Sequence, residues 1–209
     1  MVQNFVIPHS RPTLDESDLL SVSKVIRSGR IVQGEVVEKF ENKVAKYIGV
    51  DGAVAMNTGT SALHLSLLAI GIKEGDYVAM PSFVCTALLN AVRYVGAHPT
   101  LVDIDPETYN IDIRDLKKRV KKSTKAIILP HLFGLPADID EIVSLGIPVI
   151  EDCAQAIGAV YKGRKVGSFG KLSCFSFYAT KVLSTGEGGM VVSDSKSLLK
   201  KIRDFRDYD

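Results

Sequence analysis

From Ala53 onward, short β-rich runs and helical runs take turns along the chain, and this alternation restricts the fold more than any other feature of the sequence. AVAM (53–56) precedes a helical stretch near 61–70, YVAM (77–80) one near 86–95, and TLVDID (100–105) one near 112–121. Further β-rich runs follow at AIIL (126–129), PVIE (148–151), LSCFSF (172–177) and GMVVS (189–193). Strand, helix, strand in succession predicts an α/β fold, a mostly parallel sheet covered by helices. In such sheets ligands sit at the carboxyl ends of the strands, so candidate residues are sought there. Upstream, residues 14–28 and 36–48 carry apolar residues at three- and four-residue spacing, which predicts two amphipathic helices stopped by Gly29 and Gly49. The stretch from 197 predicts a charged helix running to the end of the sequence.

With 209 residues, 46% of them hydrophobic, the chain can bury a sizeable core as one large domain or two small ones. No segment repeats or is low in complexity, so it reads as one continuous fold. The 26 Lys and Arg against 24 Asp and Glu leave a net charge of +2, which lacks the basic surplus of a dedicated nucleic-acid binder. MVQNFVIPHSRP lacks the basic start and apolar core of a signal peptide, and no run of about 18 apolar residues occurs, so no membrane segment is expected. Cys85, Cys153 and Cys174 are odd in number and without CxxC spacing, which fits reduced thiols in a cytoplasmic protein.

Three segments could carry chemistry. Asn57–Thr58–Gly59–Thr60–Ser61 joins the AVAM run to a helical one: Gly59 permits a tight turn, and the free donors of the helix start with the Thr60 and Ser61 hydroxyls could hold a phosphate. Taken alone, an ordinary Ser or Thr N-cap would look the same. In PVIEDCAQAIGA an apolar strand ends on Glu151 and Asp152, with Gln155 three residues on; a carboxylate there points into the expected crevice, or merely caps the next segment. In FSFYATKVLSTGEGG, Lys181 follows a strand within a loop rich in glycine and hydroxyls. A lone loop lysine is ordinarily solvated. Together, however, a phosphate nest, a strand-end carboxylate and a loop lysine are what pyridoxal phosphate needs: an anchor for its phosphate, a partner that keeps its ring nitrogen protonated, and an amine that holds its aldehyde as a Schiff base.

The same residues resemble a known family. GRIVQGEVVEKFE, NTGTSALHLSL, PSFVCTALLNAV, VDIDPETYNID, PHLFGLPADIDEI and EDCAQAIGAVYKGRKVGSFGKLSCFSFYATKVLSTGEGG are similar, through essentially the whole chain, to the DegT/DnrJ/EryC1/StrS aminotransferases. The resemblance implies the large domain of fold type I pyridoxal phosphate enzymes over residues 1–209, with an N-terminal helical segment. Family members are about twice as long, so it also implies that a small C-terminal domain lies outside these residues and that the chain alone has little transaminase activity.

Carried over residue by residue, Lys181 resembles the Schiff-base lysine, Asp152 the partner of the pyridine nitrogen, and Gln155 the side chain beside the phenolic oxygen. Gly59, Thr60 and Ser61 resemble the phosphate-binding turn, Ser176 a further phosphate ligand, and Glu187 the GEGG-loop residue that approaches substrate. Many members place an aromatic ring over the cofactor at the position of Cys85; here the neighbouring aromatic is Phe83. By the same resemblance the function is transfer of an amino group, from glutamate, to a nucleotide-linked 3- or 4-keto sugar by a homodimer, with no metal. Two rival readings stand beside it: a sugar 3-dehydratase of the same fold, in which histidine replaces the lysine, and a non-catalytic remnant or regulatory protein.

Overall fold

The computed structural model describes residues 7–8 and 10–207. Its strands are β1 (Gly52–Met56), β2 (Tyr77–Pro81), β3 (His98–Val102), β4 (Thr124–Pro130), β5 (Val149–Asp152), β6 (Val160–Tyr161), β7 (Arg164–Lys165), β8 (Leu172–Ser176) and β9 (Gly189–Ser193). Its helices are α1 (Glu16–Ser28), α2 (Glu35–Ile48), α3 (Gly59–Ala69), α4 (Thr86–Tyr94), α5 (Ile113–Arg119), α6 (Ile139–Val143) and α7 (Lys196–Arg206). Seven strands form one sheet in the order β1-β9-β8-β5-β4-β2-β3, while β6 and β7 make a separate two-stranded hairpin.

Only β9 runs against the rest of the large sheet. It is antiparallel to both β1 and β8, whereas the pairs from β8 through β5, β4 and β2 to β3 are parallel. The carboxyl ends of six strands and the amino end of β9 therefore share one edge. Strand alternation sends side chains to both faces, and each face is covered. Leu63, Leu67, Leu88, Val92 and Ile202 of α3, α4 and α7 pack on Val54, Met80, Ile128, Ile150 and Val191. On the opposite face Val44, Ile48, Leu116, Ile139 and Ile142 of α2, α5 and α6 pack on Ala79, Ile127, Leu129, Phe175 and Met190. At about 1.5–3 kcal/mol for each large apolar side chain taken out of water, these two layers dominate the stabilisation of the fold.

Gly29 (φ +70°) and Gly49 (φ +91°) end α1 and α2 in the left-handed conformation, where a Cβ would be strained, and their N–H groups bond back to Ile26 and Ala45. α1 is held by a capping box between Asp15 and Asp18, yet none of its residues is buried. The TLVDID run departs from expectation: the strand begins earlier, at His98, and stops at Val102. Beyond it, the Asp105 carboxylate accepts the N–H groups of Glu107 and Thr108, each at 2.9 Å, and turns the chain. The β6–β7 hairpin and the single-turn α6 are also additions to the elements read from sequence. No helix is long and apolar enough to cross a membrane among the described residues.

Candidate active site

A cavity of about 250 Å³ opens at the edge where the strands end. Its walls come from the turn after β1 (Thr58, Gly59, Thr60), the segment after β2 (Val84, Cys85), the ends of β4 (Pro130, His131) and β5 (Asp152, Gln155), and the end of β8 with the run that follows it (Ser176, Tyr178, Lys181). Glu187 joins them because β9 is reversed, so that its leading loop lies at the same edge.

The β1–α3 turn and the end of β8 are pressed together. A Cβ on Gly59 would sit 2.9 Å from the Cβ of Ser176, and a Cβ on Gly189 would run into the Thr58 carbonyl. The glycines thus let two segments more than a hundred residues apart meet as one cradle. The N–H groups of Gly59 and Thr60, first in α3, meet no protein acceptor among the described residues. Ser61 is placed differently from the expectation. Thr58, not Ser61, caps α3, and its Oγ1 accepts the Ser61 N–H at 3.0 Å while donating to Ser61 Oγ, also at 3.0 Å. Ser61 is not a wall of the cavity but lines a neighbouring one with Asn57 and His64. A helix that begins two residues earlier than the sequence suggests rotates Ser61 away.

Asp152 and Glu151 are adjacent on β5 and so point to opposite faces. Asp152, 9% exposed, accepts one hydrogen bond, from Ala154 N–H to Oδ1 at 3.0 Å, and Oδ2 accepts none among the described residues. Burial raises its carboxyl above the ordinary range, against the pull of that hydrogen bond and of the Lys181 charge. The carboxylate is therefore poised for a cationic or N–H partner in the cavity. Glu151 is wholly buried and already saturated: Oε1 accepts from Phe169 N–H, Gly170 N–H and Ser173 Oγ, and Oε2 from Gly167 N–H and His131 Nε2 at 3.0 Å. Because His131 Nδ1 accepts the Ala137 N–H, Nε2 carries the ring proton and donates it to Glu151. Burial opposes ionisation of Glu151, but the bonds from His131, Gly167 and Gly170 outweigh it and hold the carboxyl below its usual range. His131, Glu151 and Cys153 bring metal-ligating atoms within 4.8 Å of one another, yet both ring nitrogens and both carboxylate oxygens are engaged in these bonds.

Glu151→Ala would orphan five donors at about 1–3 kcal/mol each, against a domain stability of about 5–15 kcal/mol. The expected result is a chain that fails to fold. Glu151→Gln should be milder and pH-dependent. A folded-state pKa below the unfolded one stabilises fully above the unfolded value, and that contribution disappears as pH falls through the folded one. Urea midpoints of wild type and Glu151→Gln should therefore converge on acidification; a gap that stays constant would show that ionised Glu151 contributes nothing.

Gln155 Oε1 accepts the Phe133 N–H at 3.0 Å, which leaves its NH₂ as the end free to donate into the cavity. Lys181 is fixed through its backbone, whose N–H bonds to the Tyr178 carbonyl at 2.8 Å. Cys85 lines the cavity and is exposed, whereas Phe83 does not line it. Cys153 and Cys174 are buried, and burial pushes both thiols up. Iodoacetamide should accordingly label Cys85 first, and pyridoxal phosphate at ten times its Kd should slow that labelling roughly tenfold. Equal labelling of the three cysteines, or no protection, would place Cys85 away from the cofactor. His131 is not among the residues the sequence singles out; the one available signal is that AIILPH, like PVIED, ends an apolar strand on a polar side chain.

The DegT/DnrJ/EryC1/StrS aminotransferase family model matches residues 12–208. The chain belongs to this family. It is 43% identical over 205 residues to GDP-perosamine synthase of Escherichia coli O157:H7, covering 96% of this chain and 56% of that protein. It is 42% identical over 219 residues to the UDP-N-acetyl-3-dehydro-alpha-D-glucosamine 3-aminotransferase of Acidithiobacillus ferrooxidans, covering all of this chain and 59% of that protein. Among solved structures, the PLP form of Spr1654 from Streptococcus pneumoniae superposes with a TM-score of 0.91 at 28% identity, over 95% of this chain and 57% of that one. The chain thus spans little more than half the length of these relatives and has the α/β fold of pyridoxal phosphate-dependent aminotransferases. The residues present fit that cofactor: free N–H donors beside a serine hydroxyl suit a phosphate, a buried carboxylate with an unpartnered oxygen suits a ring N–H, and a lysine lines the same cavity.

Proposed function

We propose that the protein is a pyridoxal phosphate-dependent aminotransferase that moves an amino group from glutamate to a nucleotide-linked keto sugar, working as a homodimer in the cytoplasm. The observation that carries this reading is that one cavity is lined at once by Lys181, by Asp152 and by the Gly59–Thr60 turn with Ser176. Two relatives, one a GDP-perosamine synthase and one a UDP-sugar 3-aminotransferase, support the substrate class.

Pyridoxal phosphate, when bound, supplies an aldehyde that takes up amino groups and a ring that stores the electron pair released at the donor's α-carbon. The residues divide the remaining work. The N–H groups of Gly59 and Thr60, the Thr60 hydroxyl and Ser176 Oγ would hold the phosphate, aided by the positive end of α3. Asp152 would hold the proton on the ring nitrogen, and the Gln155 NH₂ would donate to the phenolic oxygen. Lys181 Nζ would bind the cofactor covalently and, once displaced by the donor amine, carry the proton to and from the reacting carbon. Ser61, tied to Thr58 and outside the cavity wall, would steady the start of α3 rather than touch the phosphate. A 3-dehydratase of this fold would need histidine where Lys181 stands.

The test is transfer from glutamate to GDP-, UDP- and dTDP-linked keto sugars, followed by 2-oxoglutarate release and by the mass of the amino sugar. It should be run on this chain and on one extended to the length of the relatives, with the higher rate expected from the longer. Transfer by neither would overturn the reading.

A further inference from the structure

Phe83, Tyr109 and Phe133 stand on the connections that follow β2, β3 and β4, strands that are neighbours in the sheet and end at the edge where the cavity opens. Their rings are in succession, Phe83 to Tyr109 at 5.7 Å between centroids and Tyr109 to Phe133 at 6.4 Å. All three are exposed: 51%, 46% and 70%. The row adjoins the cavity without being part of its wall. Val84 and Leu132, the chain neighbours of Phe83 and Phe133, line the cavity, and the Phe133 N–H is held by the cavity residue Gln155.

Two of these three residues are kept at a conformational cost. Tyr109 (φ +60°) and Phe133 (φ +55°) lie in the left-handed region, which only Lys162 shares among the other described non-glycine residues. A bulky side chain is rarely found there, and the ring–ring contacts of these two residues, among the described residues, are with each other and with Phe83. Two left-handed aromatic residues in contact beside the mouth of a site point to side chains held for a role there.

Exposed aromatic faces beside a site recognise flat π systems. A nucleotide-linked sugar whose reacting carbon lies in the cavity must leave its other end, the nucleoside diphosphate, outside the mouth. We propose that Tyr109 and Phe133, braced by Phe83, form a shelf on which the nucleobase of the nucleotide-linked substrate stacks. This rests on the substrate class proposed above and adds the subsite. Stacking tolerates any base, since each presents a π face, and the two relatives named above differ in carrying GDP and UDP.

The experiment is calorimetric titration of the protein loaded with pyridoxal phosphate, using UDP, GDP and inorganic pyrophosphate as probes, on wild type, Tyr109→Gly and Phe133→Gly. Wild type should bind UDP and GDP with similar affinity, each more tightly than pyrophosphate by roughly five- to a hundredfold, the range expected for one stacked base. Each glycine variant should lose most of that margin while keeping its affinity for pyrophosphate. Glycine relieves the left-handed backbone, so the thermal midpoints should not fall, and lost binding cannot then be lost folding. If UDP and GDP bind wild type and both variants equally, the shelf is wrong and the substrate class stands. If neither nucleotide binds wild type better than pyrophosphate, the shelf and the nucleotide-linked substrate fail together. A change in sedimentation of the variants, with nucleotide affinity unaltered, would make the rings a contact between copies of the chain and overturn the proposal.

Discussion

Lys181→Ala should end covalent retention of pyridoxal phosphate and reduce amino transfer by at least the 10²- to 10⁴-fold that a positioned acid–base group typically contributes. Borohydride treatment of the wild-type protein in the presence of the cofactor should fix the label on the peptide containing Lys181, and the alanine variant should carry none. The expectation rests on placement: Lys181 is the lysine that lines the cavity, and its charge acts on buried Asp152. Lys165 and Lys171 offer controls, since Lys165 lies over the Tyr47 ring at 4.6 Å and Lys171 lines a different cavity. Label on either of them would remove Lys181 from the role.

Asp152→Asn should separate binding from stability in opposite directions. Removing one member of a buried ion pair costs about 3–5 kcal/mol, so the cofactor Kd should rise by roughly two to three and a half orders of magnitude at 1.4 kcal/mol per decade. The cofactor-free protein should behave otherwise. Burial raises the Asp152 pKa in the folded state, and a group with a raised folded pKa gives its stability below the unfolded pKa and loses it as pH rises through the folded value. Asparagine keeps an acceptor for the Ala154 N–H and carries no charge, so the variant should match wild type in acid and exceed it towards neutral pH. Thermal midpoints across that range, without cofactor, measure this. A variant less stable than wild type at neutral pH would mean that the ionised carboxylate is already satisfied by the protein.

What the sequence reveals of this site is where strands end, and what it conceals is which way side chains turn there. AVAM, PVIE and LSCFSF mark three strand ends by composition alone, and the residues at or just beyond those ends, Gly59, Asp152 and Ser176, all line the cavity. Ser61 shows the limit. The sequence places the helix from about 61, whereas it starts at Gly59 with Thr58 as its cap, and a shift of two residues, about 200° of helical turn, decides which hydroxyl faces the cavity. Glu151 and Asp152 differ by a single position, and only the pairing of β5 with its neighbours assigns one to the loop 167–170 and the other to the cavity. The His131–Glu151 bond joins residues 20 apart through adjacent parallel strands, and no local pattern records it. α6 leaves no mark in the sequence because one turn is too short to show a helical period.

The pairing of β1 with β9 has a consequence in time. Residues 52–56 hydrogen-bond in the sheet to residues 189–193 alone, so during synthesis β1 waits for β9. At 5–20 residues per second the wait is about 7 to 27 s. Until it ends, the Gly59 turn has no Ser176 or Gly189 to rest against, although Asp152 can already be in place on β5. A nascent chain arrested before residue 189 should therefore show a protease-resistant centre built on β2, β3, β4 and β5 while residues 52–61 remain cleavable, and the cofactor should be captured only after the reversed strand slides in between β1 and β8.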